Sequence, residues 1–222
     1  MLLSDKFILQ NLKKGNIIID PYDPKNLGSA SYDVTLGEYF YREQMPDPGY
    51  AIYSPWGEAE VNRIWGKPQK ATNAFKYFCD HGVKLPIGIS KKDLVILIPP
   101  GETFLCHTRE YIGGRNGVTT MMKARSSWGR NFIEVCKCAG WGDVGYINRW
   151  TMEITNNSQH YIIPLVVGRR IAQIAFFDVG ETEKEYTKTG KYQTEIDLKN
   201  LKRDWKPSNM LPRMWMDREV KK

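Results

Sequence analysis

The sequence predicts a mainly β fold, and three observations support this interpretation. Nine segments have the composition of strands, and Pro, Gly or Asn separates them at the spacing of an all-β barrel or sandwich. Aromatic residues make up 12% of the chain, and such residues are enriched in strands. A helical pattern occurs first and then gives way to the strand pattern. The strand-like segments are IIID, SYDVTLGEYFY, LVILI, ETFLCHTREYI, GVTTMMKAR, NFIEVCKCA, YINRWTMEITN, YIIPLVV and RRIAQIAFFDV.

The first element is predicted to be a short amino-terminal helix. Ser4 can cap its first turn. Phe7, Ile8 and Leu12 form an apolar stripe at helical spacing. The run KKG at 13–15 supplies a basic last turn and a terminating glycine.

One interval departs from the strand pattern. From Gln44 to about Ala74 the chain is rich in Pro, Gly and Trp and shows no clear periodicity. We therefore expect residues 1–222 to form a single domain with an irregular insertion at 44–74. The length would also accommodate two small domains, but no internal repeat or low-complexity tract divides the chain.

The net charge of +7 comes from 32 Lys and Arg against 25 Asp and Glu. Residues 184–222 hold 11 basic and 6 acidic residues, so +5 of it lies in this C-terminal stretch. A solvated surface, nucleic acid or a small polyanion would each suit such a tail. No apolar run approaches the roughly 20 residues of a membrane span, and MLLSDKFILQ lacks the pattern of a secretory signal. A cytosolic protein is expected.

The segment KARSSWGR at 123–130 places three cations and two hydroxyls within eight residues. Such a density of hydrogen-bond donors predicts an anion site, and a phosphate chain is the simplest ligand for it.

One strand is informative face by face. In YINRWTMEIT, Trp150, Met152 and Ile154 share the apolar face, so Glu153 lies on the polar face. Thr151 and Thr155 flank it and could hydrogen-bond it. The pattern alone leaves two readings open, an exposed strand glutamate or a catalytic one.

Together the segments resemble the dCTP deaminases, members of the superfamily that also contains the trimeric dUTPases. The resemblance implies a distorted β-barrel of the dUTPase-like type, a homotrimer, and active sites at subunit interfaces. The motifs that carry it are the amino-terminal LSDKFILQNLKKGNIIIDPYDPKNLGSASYDVTLG, then IPPGETFLCHTREYI, ARSSWGR, AGWGDVGYINRWTMEITN, GRRIAQIAF and GKYQ.

The same resemblance implies roles for individual residues. Glu153 would be the general base and proton shuttle for attack of water on the cytosine ring. Asp143 precedes it by 10 residues and follows Arg130 by 13, which is the family's spacing. The backbone at Ala139 would orient the water. Ser127 would also help to position it.

The substrate-binding roles follow in the same way. Arg125, Ser126 and Ser127 would hold phosphate oxygens. Asp143 would lie near the deoxyribose 3′-hydroxyl, and the ring of Tyr146 would pack on the sugar and disfavour a 2′-hydroxyl. Mg²⁺ would bind mainly to substrate oxygens and water. The residues expected in a C-terminal cap over the substrate are Tyr186, Lys191 and Gln193.

Zinc chemistry is not expected. The HxE and PCxxC signatures of the zinc deaminases are absent. Cys136 and Cys138 are separated by one residue rather than two, so the four cysteines are interpreted as reduced thiols. A metal-free route needs a carboxylate base and a held water.

Three alternatives stay open. Gly129 and Trp141 resemble the bifunctional branch of the family, which carries dUTP on to dUMP and pyrophosphate, rather than the branch that stops at dUTP. A plain dUTPase has no need of Glu153, and its glycine-rich C-terminal motif is replaced here by TGKYQ. A non-enzymatic protein that binds nucleotide or nucleic acid on the same fold is the third reading, and nucleic acid is the less expected ligand.

Overall fold

The computed structural model describes residues 1–184, 186–188 and 190–220. Four positions of the predicted cap and tail, at 185, 189, 221 and 222, lie outside the described residues. The strands are β1 Ile17–Asp20, β2 Tyr32–Thr35, β3 Tyr39–Arg42, β4 Gln69–Lys70, β5 Thr72–Asn73, β6 Leu94–Ile98, β7 Thr103–Gly114, β8 Val118–Ala124, β9 Ile133–Val135, β10 Trp141–Gly142, β11 Ile147–Asn156, β12 Ile163–Val166 and β13 Arg170–Asp178. The α-helices are α1 Asp5–Lys14, α2 Glu58–Trp65, α3 Ala74–Asp80, α4 Ser126–Gly129 and α5 Leu198–Asp204.

The strands form three antiparallel sheets. The largest has the order β4-β3-β7-β11-β9, and β1 also pairs with β7. The second sheet has the order β10-β8-β13-β2, and the third β12-β6-β5. The mainly β prediction is confirmed, and in the described part of the chain none of these ladders closes on itself.

The core lies between the sheets and takes its side chains from alternate strand positions. On β11, Trp150, Met152 and Ile154 are at most 4% exposed, which confirms the apolar face predicted for this strand. The ladder with β7 shifts register between Arg149 and Thr151. At this bulge the backbone N–H of Trp150 donates to the Thr108 hydroxyl at 2.9 Å, so its hydrogen bond is kept.

The amino-terminal helix forms as predicted, except that Phe7 of its predicted apolar stripe is 44% exposed. Ile8 is fully buried, Gly15 ends the helix with a φ of 74°, and the run before it is basic. Ser4 occupies the capping position, but its side chain makes no capping hydrogen bond.

The interval predicted to be an irregular insertion packs against the C-terminal tail. Helix α2 lies inside the interval that shows no periodicity in the sequence, and it buries Val61. Met210 and Leu211 from the C-terminal tail join Val61 in an apolar cluster with Tyr41 and Leu105. This second cluster covers the outer face of the largest sheet, on the opposite side from the main core.

The region after β9 departs from the strand pattern. Cys136 and Lys137 have φ values of 61° and 43°, so the strand ends at Val135 and a turn follows. Cys136 is buried and Cys138 exposed, and the described structure contains no disulfide.

Among the described residues, no helix combines the length and the apolar composition that crossing a bilayer requires. The cytosolic location stays a prediction.

Candidate active site

Strand β11 carries Glu153 on the outer face of the largest sheet. Glu153 pairs with Leu105 of β7, and Thr151 pairs with His107. Because paired residues point to the same side of a sheet, Glu153 lies on the face that the second cluster covers.

A cavity of about 560 Å³ opens beside Glu153, and we call it the Glu153 cavity. It brings together six of the predicted site residues. These are Ala139, Asp143, Tyr146, Glu153, Tyr186 and Lys191.

The opposite wall comes from the two segments that the sequence left unassigned. Helix α2 contributes Trp65, and the C-terminal tail contributes Asn209, Met210 and Pro212. The tail was predicted only as a basic extension. The signal that could have placed it is the apolar spacing of Trp205, Met210, Leu211 and Trp215, which is unusual for a solvated tail.

The carboxylate of Glu153 is partly buried, and no described residue donates a hydrogen bond to it from a side chain. Burial raises its pKa above the ordinary glutamate value, while the positive charge of Lys137 opposes the rise. A raised pKa suits a group that must both take up and release a proton near neutral pH. A hydrogen bond from its own backbone N–H also opposes the rise in pKa. Because no described side chain donates to the carboxylate, its oxygens stay available to a water or a substrate.

The expected hydrogen bonds from the flanking threonines are not formed. Positions two apart on a strand are separated by about 7 Å, which is too far for a direct bond between short side chains. The Thr155 hydroxyl instead bonds that of Thr103, at 2.8 Å.

A tight turn before β11 presents the next two predicted residues. The carbonyl of Asp143 accepts from the N–H of Tyr146 at 3.0 Å, and Gly145 supplies the φ of 97° that the turn requires. The indole of Trp141 donates to the Asp143 carboxylate at 3.2 Å. Asp143 is thereby held at the mouth of the cavity.

Tyr146 lies between two other aromatic rings. Its ring meets those of Trp150 and Tyr186 edge to face, each at 5.4 Å between centroids. Burial raises the pKa of its hydroxyl, so it stays protonated. The ring is therefore fixed in one orientation, as a platform for a flat or puckered ligand would need to be.

The side chain of Gln193 is buried and hydrogen-bonded to the protein backbone, so it anchors the cap to the start of β11. It is 5% exposed. Its side-chain oxygen accepts from the N–H of Ile147 at 2.9 Å, and its amide donates to the carbonyls of Gly145 and Glu195. These bonds hold the predicted cap on the start of β11. The substrate-binding role that the resemblance implies for Gln193 stays a prediction, and it would require one of these bonds to break.

The phosphate motif lines a different cavity, of about 770 Å³, which we call the Arg125 cavity. Arg125 and Ser127 line it, whereas Ser126 and Arg130 are exposed and line neither cavity. Arg109, Arg169 and Arg170 make its wall strongly cationic.

Two of these arginines share one carboxylate. The Arg125 Nε lies 3.3 Å from Asp33, and Arg170 lies 3.0 Å from the same oxygen. The turn that carries the motif is pinned by Trp128, whose indole donates to the Arg170 carbonyl at 3.0 Å. The arginine predicted to hold phosphate is thus already oriented by an ion pair.

The Arg125 cavity also contains a buried acid that no sequence pattern singles out. Glu110 is 3% exposed, and its carboxylate accepts from the N–H and the hydroxyl of Thr35 at 2.9 and 2.6 Å. Burial raises its pKa, and the two bonds from Thr35 oppose the rise. Its partner is 75 positions away in sequence, so no local pattern links the two.

In the described part of the chain, no group of three or more His, Cys, Asp or Glu is arranged to hold a metal ion. His107 is the most buried of the histidines. Burial lowers its pKa to about 4, and the charge of Arg149 adds to the effect.

Comparison with known proteins places the chain in a family. The family model described as dCTP deaminase-like matches residues 2–65 and 83–179. A protein named dCTP deaminase, dUMP-forming, from Methanocaldococcus jannaschii is 31% identical over 219 residues, covering 92% of this chain and 100% of the relative. A protein of the same name from Hydrogenobaculum sp. is 32% identical over 183 residues, covering 82% of this chain and 84% of the relative.

Among solved structures, the 2′-deoxycytidine 5′-triphosphate deaminase from Agrobacterium tumefaciens has a similar fold, with a TM-score of 0.53 and 18% identity. The match covers 79% of the present chain, which spans 47% of the length of that one. The matched family ranges contain both the phosphate motif and the strand of Glu153. The chain belongs to the dCTP deaminase-like family.

Proposed function

We propose that the chain is a dCTP deaminase that continues to dUMP, releasing first ammonia and then pyrophosphate. The relatives named dCTP deaminase, dUMP-forming, support this at about 30% identity over most of the chain. The observation that carries the proposal is Glu153, a carboxylate of raised pKa in an aromatic-walled cavity with no side-chain donor among the described residues.

In the first step Glu153 takes a proton from a water, whose oxygen attacks C4 of the cytosine ring. The C4–O bond forms as the proton passes to N3. Glu153 then carries a second proton from the new hydroxyl to the amine, the C4–N bond breaks, and ammonia leaves dUTP behind. The backbone at Ala139 and the hydroxyl of Ser127 would orient the attacking water.

In the second step another water attacks the α-phosphorus of dUTP. Asp143 polarises this water, and the bond from the α-phosphorus to the bridging oxygen breaks, giving dUMP and pyrophosphate. Arg125 and Arg130 hold the phosphates through charge-assisted bonds. Ser126 and Lys191 add donors, and Tyr186 closes over the site as part of the cap.

A complete site in this proposal needs more than one copy of the chain. Glu153 and Arg125 line separate cavities of one chain. A homotrimer of dUTPase-like barrels would bring the Glu153 cavity of one copy against the phosphate motif of the next, with sites at the subunit interfaces. The same arrangement would let Ser127 reach the water held by Glu153.

Mg²⁺ would act with the nucleotide phosphates. The described residues supply no cluster of acidic or imidazole ligands for it, and Mg²⁺ commonly keeps several waters and binds substrate oxygens in such sites. Bound there, it would neutralise part of the triphosphate charge.

The test is to incubate the protein separately with dCTP, dCMP, CTP and dUTP, each with Mg²⁺, and to resolve the products by chromatography. We expect ammonia, dUMP and pyrophosphate from dCTP, and little turnover of CTP, because the ring of Tyr146 would pack on the sugar and disfavour a 2′-hydroxyl. Accumulation of dUTP would limit the activity to deamination. Hydrolysis of dUTP without ammonia from dCTP would make the protein a plain dUTPase, and binding without turnover would make it non-enzymatic.

A further inference from the structure

Arg149 differs from the other arginines of the chain. Of the twelve arginines in the sequence, nine hydrogen-bond or ion-pair through their side chains with another described residue. The remaining three are Arg109, Arg130 and Arg149. The first two are exposed and can bond water, whereas Arg149 is partly buried.

The guanidinium of Arg149 is held by aromatic rings and has no acceptor among the described residues. Its central carbon lies 4.7 Å from the ring centre of Trp205 and 5.1 Å from that of Tyr111. Its Nε is fully buried without a hydrogen-bond partner. Burying a donor of a charged group without an acceptor is unfavourable, and the terminal nitrogens of the guanidinium have no acceptor among the described residues either.

The position of Arg149 relative to Glu153 indicates which part of a nucleotide it would meet. Both side chains lie on the outer face of β11 and line the same cavity. Lys191 lines it too, with its ammonium ion-paired to Asp217, so Arg149 is the cation there without a described partner. Four positions along a strand correspond to about 13 Å between Cα atoms. A nucleotide with its pyrimidine at Glu153 extends away through its sugar towards its phosphates.

We propose that Arg149 binds a phosphate oxygen of the substrate and forms, with Lys191, a cationic end of the Glu153 cavity. The proposal rests on the proposed function, since it places the pyrimidine at Glu153. A phosphate offers oxygens in the geometry that the guanidinium fork matches, and the rings of Trp205 and Tyr111 restrict the fork to one position. The catalytic chain would thus contribute cations of its own, in addition to those of the phosphate motif.

The experiment is calorimetric titration of the intact oligomer with two separate probes, inorganic tripolyphosphate and deoxycytidine. The proteins compared are the wild type, Arg149→Met, Arg149→Lys and the control Arg218→Met, which removes one charge from a side chain that is 93% exposed. We expect Arg149→Met to weaken tripolyphosphate binding by about 10- to 100-fold and to leave deoxycytidine binding unchanged. Arg149→Lys should recover part of the loss, and Arg218→Met should bind both probes as the wild type does.

Two results would overturn the proposal. One is unchanged tripolyphosphate affinity in both Arg149 variants. The other is an equal loss of affinity for tripolyphosphate and deoxycytidine in a folded variant, because a residue that only supports the cavity would affect both. Ammonia release by the wild type is measured in parallel, so a protein that binds both probes without deaminating dCTP contradicts the proposed function and still decides the role of Arg149.

Discussion

The Glu153 cavity and the Arg125 cavity differ in how far their charged side chains are paired with other residues. The first has aromatic walls, and among the described residues its Glu153 carboxylate has no side-chain donor and its Arg149 guanidinium has no acceptor. In the second, most charged groups already have partners, since Asp33 holds two arginines and Thr35 satisfies Glu110, although Arg109 pairs with no described residue. The Glu153 cavity thus leaves its carboxylate base and one guanidinium free of described side-chain partners, although Asp143 and Lys191 are held there. Most charged groups of the Arg125 cavity are oriented before any ligand arrives.

This contrast indicates that the Glu153 cavity serves proton transfer and the Arg125 cavity serves anion binding. The pKa of a group that changes protonation during a reaction is tuned by burial and by neighbouring charges. Groups that only bind an anion work best when they are oriented in advance. A single chain carries both types, but in separate places, so the contrast can be tested by changing each cavity in turn.

The largest effect is expected from Glu153→Gln. The substitution keeps the shape and removes the base, so ammonia release from dCTP should fall by about 10²- to 10⁴-fold, while assembly and the conversion of dUTP to dUMP are largely kept. Glu219→Gln, at a side chain that is 66% exposed, is the matched control. Near wild-type ammonia release from the Glu153 variant would remove this residue from the mechanism.

Mixed oligomers test whether the two cavities work together. Glu153→Gln and Arg125→Ala chains should each be nearly inactive alone. If every site joins the Glu153 cavity of one chain to the Arg125 cavity of another, random co-assembly should leave about one quarter of the sites intact. Ammonia release from the co-expressed mixture measures this, and a mixture as inactive as its components would contradict a shared site.

The pH profile of the reaction tests whether the pKa of Glu153 is raised. Glu153 must be ionised to act as a base, so kcat/KM, which reports the free enzyme, should fall about tenfold per pH unit below its pKa. Because burial raises that pKa, the midpoint should lie above the ordinary value of 4.5. Lys137→Met removes the charge that opposes the rise, so its midpoint should move further up.

A midpoint at or below 4.5 would show that burial does not tune Glu153. A downward movement in Lys137→Met would assign the titration to another group.

The smallest effect concerns stability in the Arg125 cavity. Thr35→Val removes one charge-assisted hydrogen bond to Glu110 and should lower the free energy of unfolding by about 1.5–3 kcal/mol. The folded pKa of Glu110 is already raised, so stability is lost as pH rises from the unfolded pKa through the folded one. The variant raises the folded pKa further, and its cost should therefore be greater at pH 8 than at pH 5.

Urea denaturation at both pH values measures this cost. The control is Thr103→Val, which removes a neutral hydroxyl pair with Thr155 and should cost the same at pH 5 and pH 8. An equal cost of Thr35→Val at both values would mean that its bond to Glu110 is not linked to ionisation.

The sequence was most informative where structure is periodic. Alternation along β11 predicted the buried face and hence the side on which Glu153 lies. Helix α2 escaped notice because it buries one residue, Val61, in eight, which gives no helical period. The strand predicted over 131–139 shortens to three residues because Cys136 and Lys137 adopt positive φ. Neither residue type indicates positive φ, so the sequence did not predict the turn.

The residues of the site were predicted from the sequence, but their division between two cavities was not. Spacing and resemblance named Glu153, Asp143 and Arg125, yet no local pattern shows that they line two cavities. The contacts that tune them are also long-range. Thr35 meets Glu110 across 75 positions, and Trp205 reaches Arg149 from the far end of the described chain.

The packing of helix α2 against the C-terminal tail has a consequence for biosynthesis. Met210 follows Trp65 by 145 positions, and chains emerge from the ribosome amino terminus first. Until Met210 and Leu211 have been made, Val61 and Trp65 lack part of the apolar cluster that covers them, and the cavity beside Glu153 lacks a wall. A nascent chain interrupted before Met210 would therefore expose part of an apolar surface and lack one wall of the catalytic pocket, so the amino-terminal insertion depends on a segment made much later.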